Sequence, residues 1–261
     1  MLKTLRLVPV LLSASLTFGA ESWRSLPGQT SESEAGSAEA IAQIYRGVPT
    51  GRFPAVAGVA ILNGNGTVAG CSGTLVSPSV VLTAAHCVAS DPVGILTVFF
   101  PGGTAANYFA KAYAIHPEYP RDFSSPDADL ALLLLESPVA DVAPMPLATK
   151  TPRAGRKGII IGYGLDETGT FGLKEFGRVT LRTCPRTFAP GGLTRDQLAR
   201  SLCWRPKRRH QDTCAGDSGG PLLVKSAVAG ITSGGFPDCP GVLSWDTNVV
   251  PFLSWINPHL Q

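Results

Sequence analysis

Charge is scarce in this sequence, and neither sign dominates. Only 16% of the 261 residues are charged, and 22 Lys and Arg against 19 Asp and Glu leave a net charge of +3. Because nucleic-acid binding depends on clustered cations, this balance predicts no nucleic-acid partner. The densest basic run, residues 205–210, is typical of a solvated loop, and a docking site for acidic partners is the alternative.

The sequence also lacks any C-x-x-C pair. Its six cysteines are Cys71, Cys87, Cys184, Cys203, Cys214 and Cys239. Their spacing matches neither a zinc site nor a redox motif, so we expect no metal and no cofactor. An even number of cysteines is instead typical of disulfides in an exported protein, although the count alone permits many pairings.

After the first twenty residues, no apolar run is long enough to span a bilayer. Residues 1–20 combine Lys3 and Arg6 with a short apolar stretch and then small residues, Gly19 and Ala20. This pattern predicts a secretory signal peptide and a mature protein that is secreted, to the extracellular space or the periplasm, without a membrane association. Residues 21–43 are rich in Ser, Glu, Gly and Ala, which favours a flexible pro-segment and predicts that order begins near Ile44.

No internal repeat of solenoid length is present, and the periodic signals are short and β-like. Many short apolar runs, separated by Gly, Pro, Asn and Asp, predict an all-β sandwich or barrel. The candidate strands are residues 56–62, 73–83, 96–100, 130–135, 158–162, 177–182, 221–224 and 228–232. One helix is predicted at residues 249–256, with Pro251 in its first turn.

Three stretches contain side chains suited to acyl transfer. VLTAAHCV contains His86, SPDADLALLLLE contains Asp129, and DTCAGDSGGPLL contains Ser218. Each stretch taken alone has an ordinary structural explanation. Together they supply a serine nucleophile, an imidazole to take its proton and a carboxylate to orient the imidazole. The chain order His86, Asp129, Ser218 differs from that of subtilisins and α/β-hydrolases.

TAAHC, DLALL and GDSGGPL, in this order, resemble the chymotrypsin/trypsin-like serine protease family. The resemblance covers residues 44–261 and includes GYG at 162–164 and the terminal FLSWI. It implies two six-stranded antiparallel β-barrels packed together, at about 44–145 and 155–245, with a C-terminal α-helix. The active site would lie between the barrels. The implied disulfides are Cys71–Cys87, Cys184–Cys203 and Cys214–Cys239.

The resemblance also implies roles around the serine. The N–H groups of Gly216 and Ser218 would form the oxyanion hole. Asp217 would pair with a new N-terminal ammonium at Ile44, released by zymogen cleavage. Asp212 matches the base of the primary specificity pocket, where a carboxylate selects Arg or Lys before the cut bond; the alternative is a turn acid.

Other positions complete the implied pocket. Ser233 would support Asp129, and Gly235 would leave room for a long substrate side chain. The last wall is open to two alignments: Gly241, which we prefer, or Ser244, with Asp246 near the pocket floor. The family usually has an aromatic residue where Gly234 stands.

Two further departures from the family concern activation and calcium. Gln43 precedes Ile44, where a basic residue is common, so activation by self-cleavage is not expected. Residues 101–117 take the position of the trypsin calcium loop but contain no acidic residue, so we expect no calcium there.

The sequence therefore predicts a monomeric, secreted, trypsin-like serine endopeptidase made as a zymogen, cleaving after Arg or Lys. Its expected partners are protein or peptide substrates, protein inhibitors and an activating protease. One alternative is the same catalyst with a non-basic primary specificity. A second, from a different class, is a protease-fold binding protein that no longer cleaves; such proteins usually lose a triad residue.

Overall fold

The computed structural model describes residues 23–27, 44–99, 103–120, 127–164, 173–186, 194–206, 211–236, 239 and 241–261. The predicted signal peptide and most of the predicted pro-segment lie outside these residues, as does most of the basic run 205–210. No helix in the described ranges is long and apolar enough to cross a membrane.

The described chain is built mainly from short strands. The strands are β1 (Arg24–Ser25), β2 (Val48–Pro49), β3 (Val56–Leu62), β4 (Val68–Ser77), β5 (Val80–Thr83), β6 (Gly94–Phe99), β7 (Ala106–Ile115), β8 (Ala131–Leu135), β9 (Lys157–Gly162), β10 (Glu175–Thr180), β11 (Ser201–Trp204), β12 (Pro221–Val224), β13 (Ala227–Phe236) and β14 (Leu243–Asn248). The α-helices are α1 (Ala85–Val88), α2 (Arg195–Ala199) and α3 (Leu253–Ile256).

The first sheet closes into a six-stranded antiparallel barrel. Its strands follow the order β7-β6-β3-β4-β5-β8, and β7 also pairs with β8 to complete the ring. The buried sides of these strands carry Val59, Ile61, Leu75 and Leu133, each at most 3% exposed. Apolar side chains that alternate along a strand share one face, and closure of the sheet removes that face from water.

The second sheet has the order β11-β14-β13-β12-β9-β10-β2. Among the described residues, an isolated backbone bridge also joins Arg182, which follows β10, to Cys203 of β11. Its core includes Ile44, Ile160, Trp204 and Leu222, all nearly inaccessible to solvent. The prediction of an all-β fold with two six-stranded antiparallel barrels and a C-terminal helix is confirmed for the fold class, the first barrel and the helix, and the second unit is a seven-stranded antiparallel sheet.

One segment before Ile44 is ordered, so the prediction that order begins there is wrong for residues 23–27. Strand β1 pairs with β7, aligning Arg24 with Tyr113. Leu26 enters the main core, and the Trp23 ring packs edge-on against His259 at 5.1 Å between centroids. Composition indicated disorder because residues 28–43 are polar, but these two apolar side chains bury enough surface to dock a short strand.

Two other local predictions differ from the structure. Residues 106–115, within the stretch aligned with a calcium loop, form strand β7 and pair with both β6 and β8. Cross-strand pairing outweighs the weak β-propensity of its alanines. The C-terminal helix extends beyond residue 256: a 3-10 turn at Val250–Phe252 leads into α3, and a second 3-10 turn runs over Asn257–Leu260.

Candidate active site

His86 and Asp129 are brought together by the pairing of two neighbouring strands. His86 lies in α1, directly after β5, and Asp129 lies just before β8. Because Thr83 of β5 aligns with Ala131 of β8, the two side chains meet at one end of the barrel. Asp129 Oδ2 is 2.7 Å from His86 Nδ1, and Asp129 Oδ1 accepts the His86 backbone N–H at 2.9 Å.

The second sheet adds a third contact to this carboxylate. Ser233 Oγ, on β13, donates a hydrogen bond to Asp129 Oδ2 at 2.7 Å. Burial alone would raise the pKa of Asp129, but the charge of His86 and the hydrogen bonds from His86 and Ser233 lower it below its ordinary value. Burial alone would lower the pKa of His86, but Asp129 raises it above its ordinary value. The pair therefore favours a proton on Nδ1, which leaves Nε2 to accept one.

Ser218 lies in the loop between β11 and β12, against the first barrel. Its carbonyl oxygen accepts the Ser72 N–H at 2.7 Å. Gly219 has φ +82°, and a Cβ there would lie 2.1 Å from Thr83 Oγ1, so only glycine fits this approach to β5. Among the described residues Ser218 Oγ makes no hydrogen bond to the His86 ring, and such bonds are often long before substrate binds.

The backbone around Ser218 presents two unused donors. Gly216 has φ +86°, a conformation that side chains rarely adopt. Within the described ranges, neither the Gly216 N–H nor the Ser218 N–H donates to an acceptor. Two N–H groups flanking a serine in this way can bind an oxyanion.

Asp217 is fully buried beneath this loop. Its Oδ1 accepts the Gly164 N–H at 3.1 Å, and its Oδ2 accepts the Cys214 N–H at 2.8 Å. A Cβ on Gly162 would lie 2.0 Å from Oδ1, which explains the GYG stretch as room for this carboxyl. Burial raises the pKa of Asp217 well above its ordinary value. Ile44 is also fully buried, within the second-sheet core.

The Asp212 carboxyl is 1% exposed and receives four hydrogen bonds. The donors are Ser244 Oγ at 2.6 Å, Gly241 N at 2.8 Å, Thr213 N at 2.9 Å and Trp204 Nε1 at 3.2 Å. Both candidate wall residues, Gly241 and Ser244, therefore contact Asp212. Burial raises the pKa of Asp212, and these hydrogen bonds oppose the increase.

Two glycines of β13, Gly234 and Gly235, lie beside the residues of β14 near this carboxyl. Gly235 aligns with Ser244, and a Cβ on Gly235 would lie 3.3 Å from Ser244 Oγ. A Cβ on Gly234 would lie 2.5 Å from the Trp245 ring. Trp245 thus fills the space that a side chain at position 234 would need, which accounts for glycine at that position.

Asp246, on the same face of β14 as Ser244, is a further buried acid. Burial raises its pKa well above the ordinary value, and the charge of Asp212 adds to the increase, whereas Thr232 opposes it. An acid whose pKa is raised by folding binds more protons in the folded than in the unfolded state. The free energy of unfolding therefore falls as pH rises above the unfolded pKa, near 4.

We expect Asp246→Asn to stabilise the protein at neutral pH, because asparagine has the same shape and does not ionise. The gain in free energy of unfolding should be at least about 1 kcal/mol at pH 7 and close to zero at pH 4. Urea unfolding at both pH values measures it, with the exposed Asp141→Asn as the matched control. An equal change in the free energy of unfolding at pH 7 and pH 4 would contradict the raised pKa assigned to Asp246.

Three disulfides are present, with the pairing that the resemblance implied: Cys71–Cys87, Cys184–Cys203 and Cys214–Cys239. The first links β4 to α1 and so fixes the helix that carries His86. The His86 ring and these two sulfur atoms lie within 4.8 Å of one another. Disulfide sulfurs are not thiolates, so this cluster lacks the ligands of a metal site.

Sequence motifs did not reveal Ser72. It is fully buried in β4, its hydroxyl donates to the Gly216 carbonyl at 3.0 Å, and it accepts the Tyr163 N–H at 3.0 Å. The only signal in the sequence is its place beside Cys71, ahead of the histidine stretch. Gly164, which donates its N–H to Asp217, is marked in the sequence only by its place in the GYG stretch.

Comparison with known proteins agrees with this geometry. A model of the Trypsin family matches residues 45–256. Kallikrein 1-related peptidase b27 of Mus musculus is 30% identical over 224 residues, covering 76% of this chain and 82% of that protein. Trypsin of Phaedon cochleariae is 30% identical over 209 residues, covering 73% of this chain and 79% of that protein.

Solved structures give the same result. Neuropsin, a serine protease expressed in the limbic system of mouse brain, has a TM-score of 0.68 and 26% identity. The match covers 84% of this chain and all of that chain. With a family match over most of its length, this chain belongs to the trypsin family and is a trypsin-like serine endopeptidase.

Proposed function

We propose that the endopeptidase is secreted as a zymogen and cleaves peptide bonds after Arg or Lys, with His86, Asp129 and Ser218 as its catalytic residues. The observation that carries the catalytic assignment is the 2.7 Å contact between His86 Nδ1 and Asp129 Oδ2, in a structure that packs Ser218 against the same barrel. A buried carboxylate that orients an imidazole is what a serine hydroxyl needs to become a nucleophile.

The proposed reaction has two steps. Ser218 Oγ attacks the scissile carbonyl while His86 Nε2 takes its proton, and the N–H groups of Gly216 and Ser218 bind the developing oxyanion. His86 then gives the proton to the leaving amine, so that the C–N bond breaks and an acyl-enzyme remains. Water, deprotonated by His86, hydrolyses the ester and restores Ser218.

A buried carboxylate with no cation beside it, among the described residues, supports cleavage after basic residues. Asp212 receives hydrogen bonds but no positive charge from any residue in the described ranges, and burial raises its pKa. A substrate Arg or Lys would supply the missing charge and lower that pKa again. Gly235, on the neighbouring strand, leaves this side of the site without a side chain.

One observation argues against Arg as the preferred residue and so bears on the alternative of non-basic specificity. Asp212 Oδ1 already accepts three hydrogen bonds, from Ser244 Oγ at 2.6 Å and from the donors of Thr213 and Trp204, and Oδ2 accepts one, from the Gly241 N–H at 2.8 Å. The lone pairs of Oδ1 are therefore filled. A bidentate contact from Arg needs both oxygens as acceptors. A pocket of this kind would favour Lys or a smaller polar side chain over Arg.

Hydrolysis of matched peptide amides tests the proposal. Protein processed to begin at Ile44 is assayed on Arg, Lys, Phe and Ala amides, beside Ser218→Ala. Cleavage of Arg or Lys amides that depends on Ser218 supports the basic pocket. Cleavage of Phe or Ala amides alone would remove the role given to Asp212 and leave the catalytic assignment intact.

We expect Ser244→Gly to increase kcat/KM for Arg amides about tenfold, since a hydrogen bond to a charged group is worth about 1.5–3 kcal/mol. The change removes the shortest of the three hydrogen bonds to Asp212 Oδ1, so that oxygen becomes a stronger acceptor for the substrate guanidinium. Hydrolysis of the Ala amide is the control and should change little. Equal effects on both substrates would show that Ser244 does not act through Asp212.

Activation is proposed to occur by cleavage between Gln43 and Ile44 by another protease. The burial of Ile44, and of Asp217 without a cation among the described residues, supports a new terminal ammonium as the missing partner. N-terminal sequencing of the secreted, active form tests both export and the cleavage site. A mature chain that begins elsewhere would overturn the assignment of Ile44.

A further inference from the structure

Ser72 joins the two sheets at the loop that carries the nucleophile. It lies in β4 of the first barrel and is completely buried. Tyr163, which follows β9 of the second sheet, donates its N–H to Ser72 Oγ at 3.0 Å. Ser72 Oγ in turn donates to the Gly216 carbonyl at 3.0 Å. A hydroxyl has one proton and two lone pairs, so it can accept and donate at once.

The backbone of Ser72 makes a second contact with the same loop. Its N–H donates to the Ser218 carbonyl at 2.7 Å. Its carbonyl accepts the Thr83 hydroxyl at 2.8 Å, and both groups lie against Gly219 of the same loop. Ser72 therefore holds both Gly216 and Ser218, the two residues whose N–H groups are proposed to bind the oxyanion.

From these contacts we propose that Ser72 is a positioning residue for the oxyanion hole. It touches no reacting atom. Its hydroxyl fixes the Gly216 carbonyl, and its N–H fixes the Ser218 carbonyl, so the two donor N–H groups keep one relative position. The inference rests on the oxyanion hole proposed above. Donors held in place before the reaction need no reorganisation as charge develops on the substrate.

The structure provides a matched control two residues along the same strand. Thr74 is also completely buried in β4, and its Oγ1 has no hydrogen-bond partner among the described residues. Thr74→Val removes a buried hydroxyl from the same strand without touching the nucleophile loop. A loss of activity caused only by weaker packing of β4 would appear in Thr74→Val as well as in Ser72→Ala.

The experiment compares Ser72→Ala, Thr74→Val and the unchanged protein, all processed to begin at Ile44. For Ser72→Ala we expect kcat to fall about 10–100-fold, below the 10²–10³-fold cost of losing a donor outright, because the donors remain but are less well placed. KM should change little. Ki for a peptide boronic acid, whose tetrahedral adduct places an oxygen in the hole, should rise by the factor lost from kcat.

Thr74→Val should keep the kcat and Ki of the unchanged protein. If Ser72→Ala does not fold, Thr83→Val tests the positioning role in its place. This variant releases the Ser72 carbonyl and should lower kcat severalfold with KM unchanged. Unchanged kcat in the Ser72 variant, or equal losses in the Ser72 and Thr74 variants, would overturn the positioning role. Inactivity of the unchanged protein would instead refute the proposed function.

Discussion

Ser218→Ala is expected to reduce kcat by about 10⁶-fold, the scale of loss seen when the nucleophile of such a triad is removed. The proposed reaction forms an ester on Ser218 Oγ, and alanine has no atom to form it. The substitution removes one atom from a half-buried loop residue, so folding and substrate binding should change little. Amide hydrolysis under single-turnover conditions, with excess enzyme, measures the residual rate.

The matched control for this change is Ser254→Ala, in the exposed part of α3. It should hydrolyse amides at the unchanged rate. A Ser218→Ala protein that retains more than about a hundredth of the activity would show that another group attacks the substrate.

Asp129→Asn is expected to reduce kcat by about 10⁴-fold, as the equivalent change does in a triad of this kind. An asparagine amide facing His86 Nδ1 would donate a proton and favour the tautomer with its hydrogen on Nε2. That tautomer cannot accept the Ser218 proton. The carboxylate also raises the pKa of His86, so its removal should shift the acidic limb of the pH–rate profile to lower pH.

A pH–rate profile of kcat/KM for the unchanged enzyme and for Asp129→Asn separates the effect on the His86 tautomer from the effect on the His86 pKa. In the unchanged enzyme, activity should fall as pH drops through the pKa of His86, which Asp129 raises above its ordinary value, because protonated His86 cannot act as a base. Asp141→Asn, an exposed substitution of the same kind, is the control and should reproduce the unchanged profile. A modest loss with no shift of the acidic limb would contradict the orienting role of Asp129.

Local sequence predicted the fold class because strand periodicity and the spacing of three motifs are local features. Strand β3, at 56–62, and strand β12, at 221–224, were predicted at their observed bounds. The docked strand β1 was not predictable, because it is held by pairing with β7 and by the contact of Trp23 with His259, both more than eighty positions away. In β1, tertiary contacts outweigh the weak strand signal of the local sequence.

In the candidate active site, too, the sequence predicts what depends on local motifs and misses what depends on long-range contacts. His86, Asp129 and Ser218 could be proposed from motifs, but the contacts of Ser72 and the hydrogen bonds from Gly241 and Ser244 to Asp212 join residues that are distant in sequence. The sequence shows glycine at position 234, where the family usually has an aromatic residue, without giving the cause. Its cause is Trp245 on the neighbouring strand, and only the strand register reveals that relation.

The most direct test of the catalytic account is the mass of the acyl-enzyme. Protein processed to begin at Ile44 is mixed with a slowly deacylating ester, quenched in acid and analysed by intact and peptide mass spectrometry. The account predicts one acyl group per chain, on Ser218, and none in Ser218→Ala. Acylation of another residue, or no acyl group on a folded and correctly processed chain, would contradict it.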